Sequence, residues 1–210
     1  MMDSENTDPM IDSPQGLPGV TVAPADFTRH NCSIRPVTPV DYDWILALWN
    51  DPLNLMTYRF GGIPPVADQL PQLLWTGVAA QFVITRAGRP REPLGLVSFY
   101  DRNVNAGHCG LALVLSAEAR STGWALSGAG IAIDHWFRVT RSNKIWLEVP
   151  EWNMASLGGL RLFGFVEEGC QRDQDWLDGR WWNRHLLALF RDRWDELRPM
   201  REAGLGASRQ

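Results

Sequence analysis

No stretch of this chain approaches the roughly 18 consecutive apolar residues that a membrane-spanning helix requires. Its acidic N-terminus also lacks the basic and apolar regions of a secretory signal. The expectation is a soluble, cytoplasmic protein with no membrane partner. Cysteine is scarce: Cys32, Cys109 and Cys170 are an odd number and lie far apart, which fits neither a disulfide framework nor the spacing of a zinc site. They read as reduced thiols, and no metal is expected. An excess of positive charge is missing too. Lys and Arg number 20 against 24 Asp and Glu, for a net charge of −4 and a pI near 5.6. This balance argues against a nucleic-acid partner and suits a cationic, amine-bearing substrate.

What the chain does have is enough apolar material for one core. At 210 residues and 45% apolar content, one domain with tails is expected, because two full domains would each be short of interior. The eleven tryptophans read first as packing groups of that core. Residues 1–28 are rich in Asp, Ser, Pro and Gly without sustained periodicity and are expected to be a disordered or loosely attached tail. The domain is expected over residues 29–197, with a second tail over 198–210.

Within the domain, residues 32–37 read as a first strand. Thr38-Pro-Val-Asp41 opens a helix with a hydroxyl cap, Pro at the first helical position and an acid three residues after the cap. Trp44, Ile45, Leu48 and Trp49 share its apolar face, and Asn50-Asp-Pro52 ends it. A second helical region carries Leu70, Leu73, Leu74 and Val78 on one face, kinked or split by Pro71. Strands are expected over 81–85 and 94–100, with turns over 87–93 and 101–107. The run 109–115 is short and uninterrupted, as in a strand buried on both faces. Residues 144–149 alternate and are reached from a helix by a crossover; 153–163 is helical until Gly164 breaks it. Asp178-Gly179 joins two closing strands, the second from Arg180 to about Arg191. The sum is a mixed α/β sheet.

The most distinctive stretch runs from Leu111 to Ala125: a buried apolar run, a loop of small residues, and an almost uncharged helix entered through Ser121-Thr122-Gly123. The first N–H groups of a helix have no intrahelical partner and carry the positive end of its dipole, so a phosphate fits where the backbone can be approached. Gly123 and Ala125 leave that approach open, and Arg120 adds a cation at the mouth. A tight strand-to-helix turn that binds nothing is the other reading.

The order of elements and three motifs resemble the GNAT superfamily of acyl-CoA-dependent N-acyltransferases, and within it the branch that includes the ribosomal-protein N-terminal acetyltransferases. Arg120-Ser121-Thr122-Gly123-Trp124-Ala125 is similar to its (Gln/Arg)-x-x-Gly-x-(Gly/Ala) pyrophosphate loop. Asn153-Met-Ala-Ser156 with Phe163-Gly-Phe165 is similar to its Asn-x-x-Ser…Gly-Phe pattern, and Glu167-Glu-Gly169 to the Glu-Gly that follows. The resemblance covers residues 33–194. It implies a GNAT-like α/β (α+β) fold: a mixed, mostly antiparallel central sheet of about seven strands flanked by about four helices. It also implies acetyl-CoA as cosubstrate and direct attack by a primary amine in a ternary complex, with a homodimer as a further expectation. The strands 111–115 and 145–149 would splay apart, and the pantetheine arm would lie along the backbone of Leu113 and Leu115. Asn153 would position the arm and Ser156 would donate to the sulfur; a helix cap is the other reading of Ser156.

Acyl transfer to an amine needs a base for the amine proton, donors for the oxyanion and a proton or hydrogen bond for the thiolate. Many members of the superfamily use a Tyr four residues before the Gly of Gly-Phe, a position held here by Leu160. A Glu early on the fourth strand often serves as base; depending on register that position is Cys109 or His108, and an imidazole is chemically the better base of the two. Glu148 on the neighbouring strand is the other candidate. Cys109 as an acylated nucleophile lacks a base and an orienting partner. Asp173, Asp175 and Asp178 near the last hairpin either attract a cationic acceptor or form a solvated edge. His30, His135 and His185 have no comparable placement. The acceptor is a protein N-terminus or a small-molecule amine, and the loop 54–65 carries no code for choosing. An acyltransferase acting on an antibiotic or metabolite, or an acyl-CoA-binding sensor or scaffold without turnover, would carry the same cofactor motifs.

Overall fold

The computed structural model describes residues 28–29, 32–120, 122–153, 160 and 163–197. Among these residues eight strands make one sheet: β1 (Thr28–Arg29), β2 (Cys32–Pro36), β3 (Val78–Arg86), β4 (Arg89–Asn103), β5 (His108–Leu115), β6 (Lys144–Pro150), β7 (Val166–Leu177) and β8 (Arg180–Phe190). Their order is β1-β2-β3-β4-β5-β6-β8-β7. Neighbours are antiparallel except β5 and β6. The mixed, mostly antiparallel sheet expected from the sequence is present, with the two-residue β1 as its eighth strand.

Strand alternation sorts the core onto two faces. On one face, Phe82, Ile84, Val97, Phe99 and Leu147 pack against Ile131, Ala132 and Trp136 of α4 (Trp124–Val139). Phe99 stacks on Trp136 with ring centroids 4.4 Å apart. On the other face, Val83, Leu96 and Val114 meet Ile45, Leu48 and Trp49 of α1 (Tyr42–Trp49) and Leu70 and Leu74 of α3 (Leu70–Trp75). Each fully buried aliphatic or aromatic side chain contributes roughly 1.5–3 kcal/mol, so these two layers hold the fold. The C-terminal helix Arg191–Glu196 closes the first layer through Trp194, whose indole N–H donates to Asp134 at 2.6 Å.

Asp41 organises the entry to α1. Its carboxylate accepts from the Thr38 N–H at 2.8 Å, the Thr38 hydroxyl at 2.9 Å and the Arg35 guanidinium at 2.6 and 2.8 Å. The Arg35 hydrogen bond holds the Asp41 carboxyl below its ordinary range against the opposing effect of burial.

Several boundaries differ from the sequence expectation. The second helical region ends at Trp75, and Val78 starts β3. The turn expected over 87–93 is a tight link at Ala87-Gly88, and Pro90 and Pro93 lie inside the fifteen-residue β4, whose pairing with β3 is irregular between Ile84 and Arg86. Bulges of this kind accommodate proline in a strand. Asn50-Asp-Pro52 ends α1 but also starts α2 (Pro52–Thr57), because the Asp51 side chain accepts from the N–H groups of Leu53 and Asn54 at 3.2 Å. The closing hairpin turns at Asp178-Gly179, with positive φ of 50° and 77°, as the sequence pattern implies.

Candidate active site

β5 and β6 run parallel for three residue pairs only, from His108 with Lys144 to Gly110 with Trp146. Beyond Gly110 they separate. β5 stays bound to β4 through Leu115, and β6 stays bound to β8 through Pro150. The result is a wedge-shaped cleft of about 1020 Å³. Leu111, Leu113, Leu126, Ala129, Ile133, Leu147, Val149 and Phe165 give it an apolar wall, and Asn54, Tyr58, Ser98, Tyr100, Asp101, Glu148 and Arg184 supply polar groups.

The open end lies at the loop that enters α4. Gly123 has φ +79°, and a Cβ built there would meet nothing within 4 Å. A left-handed turn with empty space beside it leaves the start of α4 open to approach. Thr122 is engaged locally: its hydroxyl donates to the Ala119 carbonyl at 2.7 Å and accepts from the Trp124 N–H at 3.4 Å. The Trp124 indole turns away from the loop and carries the Arg86 guanidinium 4.6 Å above its ring. Arg120 also lines the cleft, but its guanidinium pairs with Asp51, the cap of α2, and reaches the Leu115 carbonyl at 3.4 Å. Burial opposes ionisation of Asp51, yet Arg120 and the Asn54 and Leu53 N–H groups outweigh it and hold the carboxyl below its usual value. The loop cation is thus fixed to the helix on the opposite wall. Ser121 and Ser156 lie outside the described residues, as does the side chain of Ala125.

The Leu115 carbonyl accepts from Asn54 Nδ2 at 3.0 Å. It therefore points away from β4 and into the cleft, and the two-residue alternation of a strand turns the Leu113 backbone the same way. Leu113 offers an open strand edge, whereas the Leu115 carbonyl already has a partner. Asn153 lines the cleft beyond the end of β6. Leu160 lines it as well, so the position of the family tyrosine faces the cleft and is apolar.

The two candidate bases separate. His108 sits on the paired, closed side of the wedge opposite Lys144 and does not line the cleft; its Nδ1 is buried with no hydrogen-bond partner among the described residues. Glu148 lines the cleft. Its carboxylate accepts from Arg184 Nη1 at 2.7 Å, and the same guanidinium binds Asp175 through Nε at 3.1 Å and through Nη2. The Asp175 hydrogen bond is the main reason the Arg184 guanidinium titrates above its ordinary value. Two carboxylates share one cation here, and the lining carries Asp101 and Glu148 alongside Arg59 and Arg184. Of the three hairpin acids Asp175 joins the site, while Asp173 and Asp178 are exposed with positive φ.

Cys109 is fully buried, and burial pushes its thiol up to about 12, which removes it as a nucleophile at neutral pH. His185 pairs with Glu167 at 2.9 Å. Burial, then Arg138, pushes His135 down, and its ring sits edge-on to Phe82. Among the described residues no group of three or more His, Cys, Asp or Glu could hold a metal ion, and no helix is long and apolar enough to cross a membrane. Sequence reasoning missed Arg184, Tyr100, Tyr58 and Asp51. Only the capping chemistry of Asp51-Pro52 gave a signal; the others sit at ordinary strand or loop positions.

A sheet split at its parallel β5–β6 pair, with an open helix start at the mouth, is the arrangement expected of an acyl-CoA-dependent transferase. The chain belongs to the acetyltransferase (GNAT) domain family, whose pattern matches residues 32–166. It is an acetyltransferase with acetyl-CoA as cosubstrate. Its relatives include the spermidine N(1)-acetyltransferase of Escherichia coli, 23% identical over 167 residues, covering 78% of this chain and 88% of that protein. The enzyme of the same name from Vibrio cholerae is 25% identical over 136 residues, covering 63% and 78%. The fold is shared with the crystal structure of spermidine N-acetyltransferase from Vibrio cholerae in complex with CoA and spermine, at a TM-score of 0.70 and 20% identity over 78% of this chain and 98% of that one.

Proposed function

We propose that the protein transfers the acetyl group of acetyl-CoA to a primary amine of a small cationic molecule, with polyamines as the first class to test. The observation that carries this is the wedge between β5 and β6: it pairs an open, apolar strand edge with a helix start at one end and the carboxylates of Asp101 and Glu148 in its lining. The anion site suits the pyrophosphate, the Leu113 edge suits the amides of the pantetheine arm, and Asp101, Asp175 and Glu148 suit a positively charged acceptor. Glu148 would take the amine proton directly or through water, with Arg184 fixing its orientation. Asn153 would steady the arm. Ser121, Thr122, Gly123, Trp124 and Ala125 would serve the pyrophosphate through their backbone, and Arg120 would support the loop from its place on Asp51.

Names of the relatives favour spermidine and spermine, whereas the sequence motifs also resemble the ribosomal-protein N-terminal branch. A panel assay separates them. Acetyl-CoA consumption is measured with spermidine, spermine, an aminoglycoside and peptides with free N-termini. A kcat/KM at least tenfold higher for polyamines than for peptides is expected; the reverse order would assign the N-terminal activity, and no turnover with any amine would leave an acyl-CoA-binding sensor. We place the reaction in the cytoplasm, consistent with three free thiols, of which Cys32 and Cys109 are buried. Self-association belongs to the same proposal, since one spermidine N-acetyltransferase structure from Vibrio cholerae is dodecameric; light scattering after size exclusion would test for at least a dimer.

A further inference from the structure

We infer that Tyr100 of β4 is the proton donor to the departing thiolate, held at the closed end of the cleft by the absent side chain of Gly110. The inference rests on the acetyl-CoA reading of the cleft. A pantetheine arm entering at Gly123 and lying along Leu113 must stop where β5 and β6 meet, at Gly110 and Trp146. The five residues from Leu111 to Leu115 span about 17 Å at ~3.3 Å each, so the reacting end of the arm lies at that vertex.

Tyr100 pairs with Gly110 across the β4–β5 ladder. Its ring lies flat over the glycine: a Cβ on Gly110 would fall 2.5 Å from Tyr100 Cζ, and 2.7 and 2.8 Å from Cε2 and Cε1. Only glycine lets the ring cross β5. The ring then meets Trp146 of β6 edge-on, with centroids 5.1 Å apart. Glu148 follows two residues along the same strand and so shares the face of Trp146. Tyr100 and Glu148 both line the cleft, which puts one phenol and one carboxylate on the same side of the vertex.

The other candidates are placed less well. Leu160 has no proton to give. Tyr58 lines the cleft beside Ser98, and Ser98 pairs with Ala112, two residues farther from the vertex. Burial, followed by the Glu148 charge, pushes the Tyr100 phenol well above its ordinary value. It therefore keeps its O–H at neutral pH, so the donor role rests on its position at the vertex.

The step balances without a further reactant. The neutral amine attacks the thioester carbonyl carbon; the C–N bond forms and the C–S bond breaks. The amine proton passes to Glu148 and the phenol proton to the leaving sulfur. Transfer of the proton from Glu148 to the phenolate restores both groups, leaving amide and CoA thiol.

The test uses Tyr100→Phe, which keeps the ring over Gly110. Its kcat with the best amine should fall roughly ten- to a hundredfold, with KM for acetyl-CoA within about twofold. A second readout needs no turnover: the affinities of CoA and desulfo-CoA at a pH where the thiol is ionised. The wild type should bind CoA roughly tenfold tighter, the scale of one hydrogen bond to a charged group, and Tyr100→Phe should erase that preference. A kcat within twofold of wild type, or a preference absent from the wild type or intact in the variant, overturns the inference. Equal weakening of both ligands would mark Tyr100 as wall packing and overturn it too. A wild type that binds neither ligand refutes the acetyl-CoA reading, and the inference with it.

Discussion

Gly123 combines a left-handed backbone with open space where a side chain would stand, so substitution there separates strain from electrostatics. Alanine brings only the cost of a positive φ, about 1–2 kcal/mol; aspartate adds a negative charge where the proposed anion site lies. Acetyl-CoA should raise the Tm of the wild type and of Gly123→Ala, and leave that of Gly123→Asp unmoved. An equal shift in all three would remove the loop from the cofactor site. Glu148 and His108 form a second contrast. Glu148 faces the cleft and His108 the paired strands, so Glu148→Gln should lower kcat by roughly a hundredfold, while His108→Ala stays within about twofold. The opposite ranking would return the base to β5. With Tyr100 as donor, Ser156→Ala should reveal a cap: about 1 kcal/mol of stability lost with kcat per folded molecule unchanged.

The hairpin at Asp178-Gly179, the strand–loop–helix at Leu111 to Ala125 and the crossover into β6 were legible as elements because each has local chemistry that dictates its backbone. Other elements depended on distant partners. Asp51-Pro52 reads as a helix end, yet the same two residues start α2 because the Asp51 carboxylate accepts from the Leu53 and Asn54 N–H groups and pairs with Arg120. Val78 fits the face of a preceding helix by spacing, but strand pairing with Tyr100 claims it. Tyr100 and Arg184 were invisible as site residues, since nothing in a strand's alternation says that the strand two places away will split from its neighbour. The Thr38–Asp41 entry to α1 was readable, whereas Arg35 behind it was not, and that pair sets a pH dependence. A carboxyl whose folded value lies below its unfolded one adds stability above the unfolded value, ~3.9 for Asp, and loses it as pH falls through the folded value. The Asp41 side chain is 5% exposed and that of Arg35 25%, so screening trims the pair to about 1–3 kcal/mol. Asp41→Asn should be less stable than wild type by that amount at pH 7 in urea, and the gap should close towards pH 2. A constant gap would assign the loss to the helix cap alone.

At the scale of the molecule, the sheet behaves as two plates. β1 to β5 form one and β6 to β8 the other, joined directly by the three pairs from His108 with Lys144 to Gly110 with Trp146, with α4 lying across the first plate and Trp194 tying the second to it through Asp134. Among the described residues, the inner edges of the plates, Leu111 to Leu115 on one side and Leu147 to Val149 on the other, have no neighbouring strand across the cleft. Unpaired strand edges exchange their amide protons with solvent through small local openings. A ligand that enters as an extra strand should slow exchange on both edges, whereas one held only by its phosphates should protect the start of α4 and little else. Hydrogen–deuterium exchange with saturating CoA therefore distinguishes the two modes. Protection is expected at the Leu113 edge of β5 and at the helix start together, falling off towards β2 and β7, with Leu147 to Val149 protected only to the extent that the arm touches both plates. Protection confined to residues 122–126 would sink the pseudo-strand. The thiol would then no longer be directed at Gly110, and the chemistry assigned to Tyr100 and Glu148 would lose its geometric basis.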